Sequence, residues 1–303
     1  MSNNTIQLLD HNWKFQEEGQ DQWHEANVPG CVHQDLLNNK LIEDPFFRLN
    51  ETKYQWIMDK KWTYKLLFNS KNDILERKNK RLLFKGIDTY ADIYLNKSKI
   101  LSSNNMFHAW EVDVTELLKP ELNELKIVFH SPIKTVQPFM NENSYQLPAD
   151  NDQAGDTSPY TRKAPYHYGW DWGPCFVTSG IWKNIELHGW DYWYIDRSAI
   201  LNNNANKRSA DLHLEIEVFS EINENASLKI LEPKSNTNQK IPIKITKGKN
   251  LFQHDFSIDE PDLWWPIGHG EQPIYSFSIN IDSDSHSKTI SKRIGIRDVL
   301  IKR

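Results

Sequence analysis

The sequence contains very little cysteine and no membrane-like segment. Cys31 and Cys175 are the two cysteines in 303 residues, which is too few for a disulfide framework or a cysteine-based metal site. No apolar run approaches the roughly 18 residues that a membrane-spanning helix needs. The first ten residues lack both a basic start and an apolar stretch, so we expect no signal peptide and a cytoplasmic protein that does not enter a membrane.

The sequence also lacks a surplus of basic charge. It carries 36 Lys and Arg against 41 Asp and Glu, and residues 196–303 carry 15 of each sign. Neither half forms the basic patch that binding to nucleic-acid phosphates requires, so we expect no nucleic-acid partner. The eleven histidines show no pair at zinc-ligand spacing, and we expect neither a metal nor another cofactor.

Aromatic residues, in contrast, are abundant. The chain has 12 Trp, 11 Tyr and 13 Phe, which together make 12% of its residues. Exposed indole and phenol rings stack on nucleobases and on the C–H faces of sugars. Because the charge balance disfavours the first use, the composition favours a carbohydrate ligand.

Alternation of apolar and polar residues with a period of two dominates the chain. Leu212 to Val218 and Tyr275 to Ile281 alternate in this way, as half-buried strands do. Similar segments occur at Ile241–Ile245, Trp62–Phe68, Arg81–Phe84, Tyr90–Leu95, Leu125–Phe129 and Ile181–Leu187. Many short strands separated by turn signals predict an all-β protein built from β-sandwiches.

The length predicts two domains, since a domain typically has about 100–200 residues. We place the boundary near residue 195, after the aromatic run Trp190–Tyr194, which gives domains 1–195 and 196–303. The second has the usual size of an immunoglobulin-like sandwich, and the polar run Asn202–Arg208 predicts a hairpin loop inside it.

Helical segments are expected to be few and short. His33–Asn39 is one candidate, and Val114–Leu118 is at most a turn or two. The stretch from about Ser131 to Tyr168 has no clean periodicity and contains several prolines. A loop of this length in a compact domain is either functional or disordered, and its aromatic residues favour function.

The most distinctive motif is Arg162–Pro174, in which Trp170 and Trp172 flank Asp171 between glycines and a proline. In an extended segment the two indoles would point one way and the carboxylate the other. A rigid carboxylate beside indole faces suits a sugar, because it accepts hydroxyl hydrogen bonds while the rings cover the C–H side. The alternative is a packed corner with both tryptophans in the core. Spacing alone leaves both interpretations open.

Several motifs along the chain carry a resemblance to a known family. They are Trp23–Leu36, Gly86–Asn96, Trp170–Pro174, Leu263–Pro273 and Gly295–Arg297. On these segments the chain resembles the N-terminal part of the β-mannosidases of glycoside hydrolase family 2, over essentially all 303 residues. Trp170–Pro174 is the specific part, because other branches of the family share the architecture but usually lack this segment.

The resemblance implies a layout for the chain. Residues 1–195 would form a galactose-binding-like jelly-roll sandwich, and residues 196–303 an immunoglobulin-like β-sandwich. A (β/α)8 barrel of about 250 residues should follow, and in this family it carries both catalytic glutamates. The barrel is absent from the sequence, so we expect no catalytic residue here and no activity of this chain alone.

The resemblance also implies a role for the motif. Trp170, Asp171 and Trp172 would bind substrate, with Trp170 and Asp171 contacting the sugar in the −1 subsite and Asp171 reading the axial 2-hydroxyl of mannose. The chain would then be the N-terminal portion of a retaining β-mannosidase, with a β-mannoside glycan and the barrel as its partners. Apolar patches should mark the surface that the barrel covers.

A different class of function stays open beside this one. The second interpretation is a stand-alone carbohydrate-binding or interaction module that has lost its barrel. A third option, another family-2 hydrolase such as a β-galactosidase or β-glucuronidase, is disfavoured by Trp170–Trp172.

Five other residues have structural interpretations. We expect Arg162 and Lys163 to form local salt bridges or to anchor the loop, and Cys175 to be a buried free thiol. His33 and Asp35 are expected to cap the short helix or to lie at the domain junction.

Overall fold

A computed structural model of the protein describes residues 4–300. Thr5–Gly189 form one compact unit, and the residues from Trp190 onward belong to the other. The boundary that the sequence predicts lies a few residues after Gly189, within a strand at Trp193–Ala205. Both units are built mainly from β-strands arranged in sheets, which confirms the all-β fold class. None of the helices among the described residues is long and apolar enough to cross a membrane.

The first unit is a sandwich with short helices in its connections. Its strands are β1 (Asn4–Leu8), β2 (Trp13–Glu17), β3 (His24–Ala26), β4 (Trp62–Phe68), β5 (Asn79–Phe84), β6 (Ile87–Asp88), β7 (Tyr90–Leu95), β8 (Ser98–Asn104), β9 (Trp110–Asp113), β10 (Asn123–Phe129), β11 (Tyr168–Trp170), β12 (Gly173–Cys175), β13 (Gly180–Ile181) and β14 (Ile185–Trp190). Its helices are α1 (Val32–Asn38), α2 (Asn50–Lys53), α3 (Asn72–Leu75) and α4 (Pro132–Glu142). Short 3₁₀ turns lie at Gln55–Asp59, Ser158–Tyr160 and Pro165–His167.

The larger sheet of this unit has six strands in the order β3-β2-β4-β10-β7-β8. A second sheet has four strands in the order β1-β14-β5-β9. In β10, every second residue from Asn123 to Phe129 is buried, because successive side chains point to opposite faces of a sheet. Ile127 lies opposite Tyr64 of β4 and Ile93 of β7, and all three side chains are buried. The strand predictions at β4, β5, β7 and β10 are confirmed.

The expectation of a long irregular segment after Ser131 is wrong for its first part. Pro132–Glu142 is an α-helix with Ser131 as its N-cap, whose hydroxyl accepts a hydrogen bond from the Lys134 amide. A serine at the N-cap followed by proline in the first turn is a helix-start signal. Pro138 lies inside the helix and weighs against predicting it, because an internal proline normally interrupts a helix. The helix candidate at His33–Asn39 is confirmed as α1.

The second unit consists of long strands. They are β15 (Trp193–Ala205), β16 (Ser209–Ser220), β17 (Glu224–Glu232), β18 (Thr237–Ile245), β19 (Gly248–Asp259), β20 (Tyr275–Ser283) and β21 (Ser287–Ile294). One sheet has the order β15-β16-β19 and the other the order β18-β17-β20-β21, as in an immunoglobulin-like sandwich. The predicted loop at Asn202–Arg208 is shorter than expected, since Asn202–Ala205 still belongs to β15.

Two motifs of the second unit are explained by close packing. A Cβ atom at Gly295 would come within 2.8 Å of the Trp264 ring, and one at Gly270 within 2.8 Å of the Trp265 ring. The Trp264 amide also donates to the Ile296 carbonyl at 2.8 Å. Glycine is therefore needed where each indole lies against the backbone.

Asp35 is a core residue rather than a helix cap. It lies inside α1, fully buried, and its carboxylate accepts hydrogen bonds from the Asn27 amide at 2.8 Å and the Tyr64 hydroxyl at 2.7 Å. Burial raises the pKa of Asp35 to about 6, although both hydrogen bonds act in the opposite direction. In an unfolded chain an aspartate has a pKa of about 3.9, so the folded state binds this proton more tightly.

Asp35 should therefore make stability depend on pH. Its contribution is fully present below about pH 4 and is lost as the pH rises through about 6, because only the folded state keeps the carboxyl protonated in that window. We compare the free energy of unfolding of Asp35→Asn with that of wild type. As the pH rises from 4 to 7.5, the difference should shift in favour of the variant by up to about 3 kcal/mol. Urea unfolding of both proteins at the two pH values measures this. All other titrating groups are present in both proteins, so their effects cancel in the comparison. A difference in unfolding free energy that is the same at both pH values would contradict the expectation.

Candidate functional site

The Trp170–Trp172 motif forms the tip of a β-hairpin. Strands β11 and β12 pair with Tyr168 opposite Cys175 and Trp170 opposite Gly173. Asp171 and Trp172 are the two turn residues between them. The chain reverses between Trp170 and Gly173, so the alternation of side chains that an extended segment would give does not apply here.

The tip is exposed although it is rich in aromatic surface. Trp172 is 83% exposed and Trp170 41% exposed, and Asp171 is exposed as well. The two indoles meet edge to face, with ring centroids 5.7 Å apart, as aromatic pairs prefer. The alternative interpretation of the motif, a packed corner with both tryptophans in the core, does not describe this tip.

A cleft of about 430 Å³ lies beside the hairpin. Trp170 and Trp172 line it together with Tyr166, His167 and Phe176. Apolar walls with a few polar groups are usual for small-ligand sites, and the exposed Asp171 follows Trp170 at the tip of the hairpin. The arrangement can hold a polyol by combining hydroxyl hydrogen bonds with ring contacts.

The incoming strand of the hairpin is held by Gln153. Its amide donates to the Tyr168 carbonyl at 2.7 Å, and its side-chain Nε2 donates to the Trp170 carbonyl at 3.2 Å. Gly169, between these two carbonyls, has φ of +100°, and a Cβ atom there would lie 2.9 Å from the Gln153 side chain. Glycine at this position therefore permits both the backbone conformation and the close contact.

The outgoing strand is held by a different part of the chain. The Cys175 amide donates to the Glu51 carboxylate at 2.6 Å, and Gln55 Nε2 donates to the Cys175 carbonyl at 3.0 Å. Cys175 itself is a free, buried thiol, as predicted, and burial raises its pKa to about 12. The thiol is thus protonated at neutral pH and unreactive.

Lys163 anchors the segment that leads into the hairpin, as predicted. It forms a buried ion pair with Asp88 of β6. His167 lies nearby, with its Nδ1 atom 3.2 Å from the Thr178 hydroxyl. Burial, and then the charge of Lys163, lower the pKa of His167 to about 4, so its imidazole is neutral at pH 7.

A second depression of about 510 Å³ shares Tyr166, His167, Phe176 and Thr178 with the cleft. Large aromatic side chains at its rim are strongly exposed: Phe46 is 73% exposed, Phe107 61% and Tyr166 65%. Scattered single apolar residues are normal on surfaces, but a contiguous group marks a place where something binds.

Sequence reasoning did not find the residues that hold the hairpin. Gln153, Glu51 and Gln55 contact it from up to 124 residues away, and no local pattern marks them. Within residues 4–300, no group of three or more His, Cys, Asp or Glu side chains is arranged to hold a metal ion.

Comparison with known families covers both units. Residues 13–183 match the family model described as glycosyl hydrolase 2 galactose-binding domain-like, and residues 194–297 match glycosyl hydrolases family 2. The chain belongs to glycoside hydrolase family 2. The jelly-roll and immunoglobulin-like assignments that the resemblance implied are thereby confirmed.

Individual relatives in this family are β-mannosidases. β-Mannosidase B of Emericella nidulans is 33% identical over 302 residues, which cover 97% of this chain and 35% of that protein. The goat (Capra hircus) β-mannosidase is 30% identical, with 90% of this chain and 32% of that protein covered. The crystal structure of β-D-mannosidase from Dictyoglomus thermophilum superimposes with a TM-score of 0.89 at 33% identity, covering 98% of this chain and 36% of that one.

This family-2 chain spans about a third of the length of the curated relatives that it matches. The remaining two thirds of each relative have no counterpart in these 303 residues. The two units described here thus match the galactose-binding-like and family-2 portions of these longer relatives.

The Gly169 backbone provides a test of how the hairpin is held. We expect Gly169→Ala to lower the free energy of unfolding by more than the roughly 1–2 kcal/mol that a left-handed backbone costs alanine, because the methyl also displaces Gln153 from its bond to the Trp170 carbonyl. Gly19→Ala is the matched control, since Gly19 has φ of +89° but open space around its Cβ position. Equal losses for the two variants in urea unfolding would show that Gln153 contributes nothing.

Proposed function

We propose that this chain is the substrate-recognition portion of a retaining β-mannosidase that removes terminal, non-reducing β-D-mannose residues. The observation that carries the proposal is the hairpin tip, on which Asp171 lies between two exposed indoles. The β-mannosidases that match more than 90% of the chain at 33% identity support the choice of substrate class.

The tip has the chemistry that a sugar needs. The Asp171 carboxylate has two acceptor oxygens, and mannose differs from glucose by an axial 2-hydroxyl that can donate to one of them. The adjacent indole of Trp170 offers an apolar face to the C–H side of the ring. In this proposal Asp171 selects the sugar and does not transfer a proton.

Hydrolysis with retention needs two carboxylates about 5–5.5 Å apart across the scissile bond. We assign both to a catalytic barrel within the part of the relatives that lies outside the match to this chain. The 303-residue chain alone should accordingly not hydrolyse β-mannosides.

The exposed aromatic rim beside the hairpin supports a covering partner. Phe46, Phe107 and Tyr166 surround a depression next to the cleft, and an isolated domain gains nothing from exposing them. Packing of the catalytic portion over this surface would bury the rim and would bring Asp171 to the reacting sugar.

Ligand titration followed by the indole N–H signals in NMR tests the assignment of the tip. Methyl β-D-mannoside should shift the Trp170 and Trp172 signals at millimolar concentrations, and methyl β-D-glucoside should shift them less, because its 2-hydroxyl is equatorial. Asp171→Ala should weaken mannoside binding by about tenfold or more, since a hydrogen bond to a charged group contributes about 1.5–3 kcal/mol.

Asp21→Ala serves as the control, because Asp21 is an exposed aspartate of the same unit. Equal shifts with both sugars, or unchanged binding in Asp171→Ala, would contradict the proposal. Release of nitrophenol from p-nitrophenyl β-D-mannoside by the purified chain would contradict the assignment of catalysis to the barrel. Micromolar affinity of the chain alone would instead support the stand-alone binding module.

A further inference from the structure

We propose that the buried Lys163–Asp88 pair is a positioning device that fixes the base of the recognition hairpin and so sets where Asp171 and Trp170 are presented. Lys163 and Asp88 would be positioning residues rather than ligand contacts. The functional part of this inference rests on the proposed function, whereas its structural part does not.

The ammonium group of Lys163 is fully engaged. It lies 2.5 Å from both carboxylate oxygens of Asp88, 2.9 Å from the Thr178 carbonyl and 3.1 Å from the Thr178 hydroxyl. An ammonium has three donors, so one can serve the carboxylate and the other two the oxygens of Thr178. The Lys163 side chain is 0% exposed and that of Asp88 3% exposed.

Asp88 is engaged on its remaining side as well. Its Oδ2 atom accepts from the Thr178 hydroxyl at 2.6 Å and its Oδ1 atom from the Thr89 hydroxyl at 2.5 Å. Because the Thr178 hydroxyl donates its one hydrogen to the Asp88 carboxylate, its contact with His167 requires that the imidazole donate from Nδ1. The cluster is thus a closed network in which each partner has a defined donor or acceptor role.

The partners stand at the two ends of the segment that carries the hairpin. Lys163 precedes β11 and Thr178 follows β12, while Asp88 belongs to β6 and pairs with Gly180 of β13. One sandwich residue therefore ties both stems of the 163–178 segment together. Closing a loop at its base removes most of the conformations available to its tip.

Stability alone does not explain a buried ion pair here. Desolvation offsets much of the attraction, and well-packed apolar residues often stabilise a fold as well or better. The ion pair also fixes direction, because the ammonium must meet the Asp88 carboxylate, the Thr178 carbonyl and the Thr178 hydroxyl at once. Tyr168 and Cys175 near the base of the hairpin pack into a small buried cluster, whereas Asp171 and Trp172 at the tip are exposed, so the direction of the tip has to be set at the base.

Hydrogen exchange of the 303-residue chain separates positioning from stability. Lys163→Met leaves a buried, unpaired carboxylate and should lower the unfolding temperature. The double variant Lys163→Met with Asp88→Asn removes both charges and should recover most of that loss. We nevertheless expect amides 168–175 of the double variant to exchange about tenfold faster than in wild type, with little change elsewhere in the first unit.

Two further variants keep the result decisive. Thr178→Val preserves the ion pair and the shape of the side chain but removes the hydroxyl bridge, and it should raise exchange in 168–175 even if the double variant does not fold. Lys85→Met is the matched control, because Lys85 pairs with Glu186 away from the hairpin, and it should leave 168–175 unchanged. Wild-type exchange of 168–175 in both the double variant and Thr178→Val would overturn the proposal.

The outcome is distinguishable from that of the proposed function. Asp171→Ala should weaken mannoside binding by about tenfold or more without changing exchange in 168–175, whereas Thr178→Val should weaken binding and raise exchange together. If wild type shows no mannoside preference but the exchange pattern holds, the proposed function fails and the positioning of the hairpin stands. If Thr178→Val raises exchange and leaves mannoside binding at the wild-type level, the positioning role in recognition fails.

Discussion

The packing of four buried aromatic side chains on the larger sheet of the first unit is the interaction on which the rest of that unit depends. Phe15, Trp62, Tyr64 and Phe129 are at most 2% exposed. The Tyr64 and Phe129 rings meet edge to face at 5.5 Å, and Phe15 lies 5.7 Å from Tyr64. Each such contact contributes about 0.5–1.5 kcal/mol beyond the burial of area. The polar atoms of two of these side chains, the Trp62 indole nitrogen and the Tyr64 hydroxyl, form hydrogen bonds to residues outside the sheet.

The outward connections lead from the core to the hairpin. The Trp62 indole donates to the Ile57 carbonyl at 3.0 Å, which fixes the 3₁₀ turn Gln55–Asp59. Gln55 at the start of that turn bonds the Cys175 carbonyl on the outgoing strand of the hairpin. The buried Trp62 is therefore connected to the hairpin through the 3₁₀ turn: it bonds Ile57 of the turn, and Gln55 of the turn bonds Cys175 of the hairpin. The hydrogen bond is necessary in any case, because a buried indole N–H without a partner is costly.

The parts of this architecture that follow from sequence are those with a local physical cause. Strands such as β4 and β10 were predictable because burial on one face forces a period of two on the sequence. The helix α4 was missed because Pro138 weighs against a helix locally while the N-cap Ser131 and the packing around Val136, which is fully buried, favour it. Tertiary packing decided that conflict, as it often does for weak local preferences.

The candidate site divides in the same way. Trp170, Asp171 and Trp172 were predictable as a group from residue types, but the turn between them was not, because it depends on Gln153 and on the close approach that Gly169 allows. The partner of Lys163 lies 75 residues away in the chain. A single sequence carries no signal for a pairing at that distance, and only the fold reveals it.

The hairpin shows an asymmetry that folding alone does not require. Its base is held from several directions, by Gln153, Gln55 and Lys163, whereas Trp172 at its tip is 83% exposed. An indole in that position stabilises its own fold very little, since most of its apolar area stays in water. A rigid support that ends in unburied aromatic and acidic groups is what recognition demands, because order paid for during folding does not have to be lost again on binding.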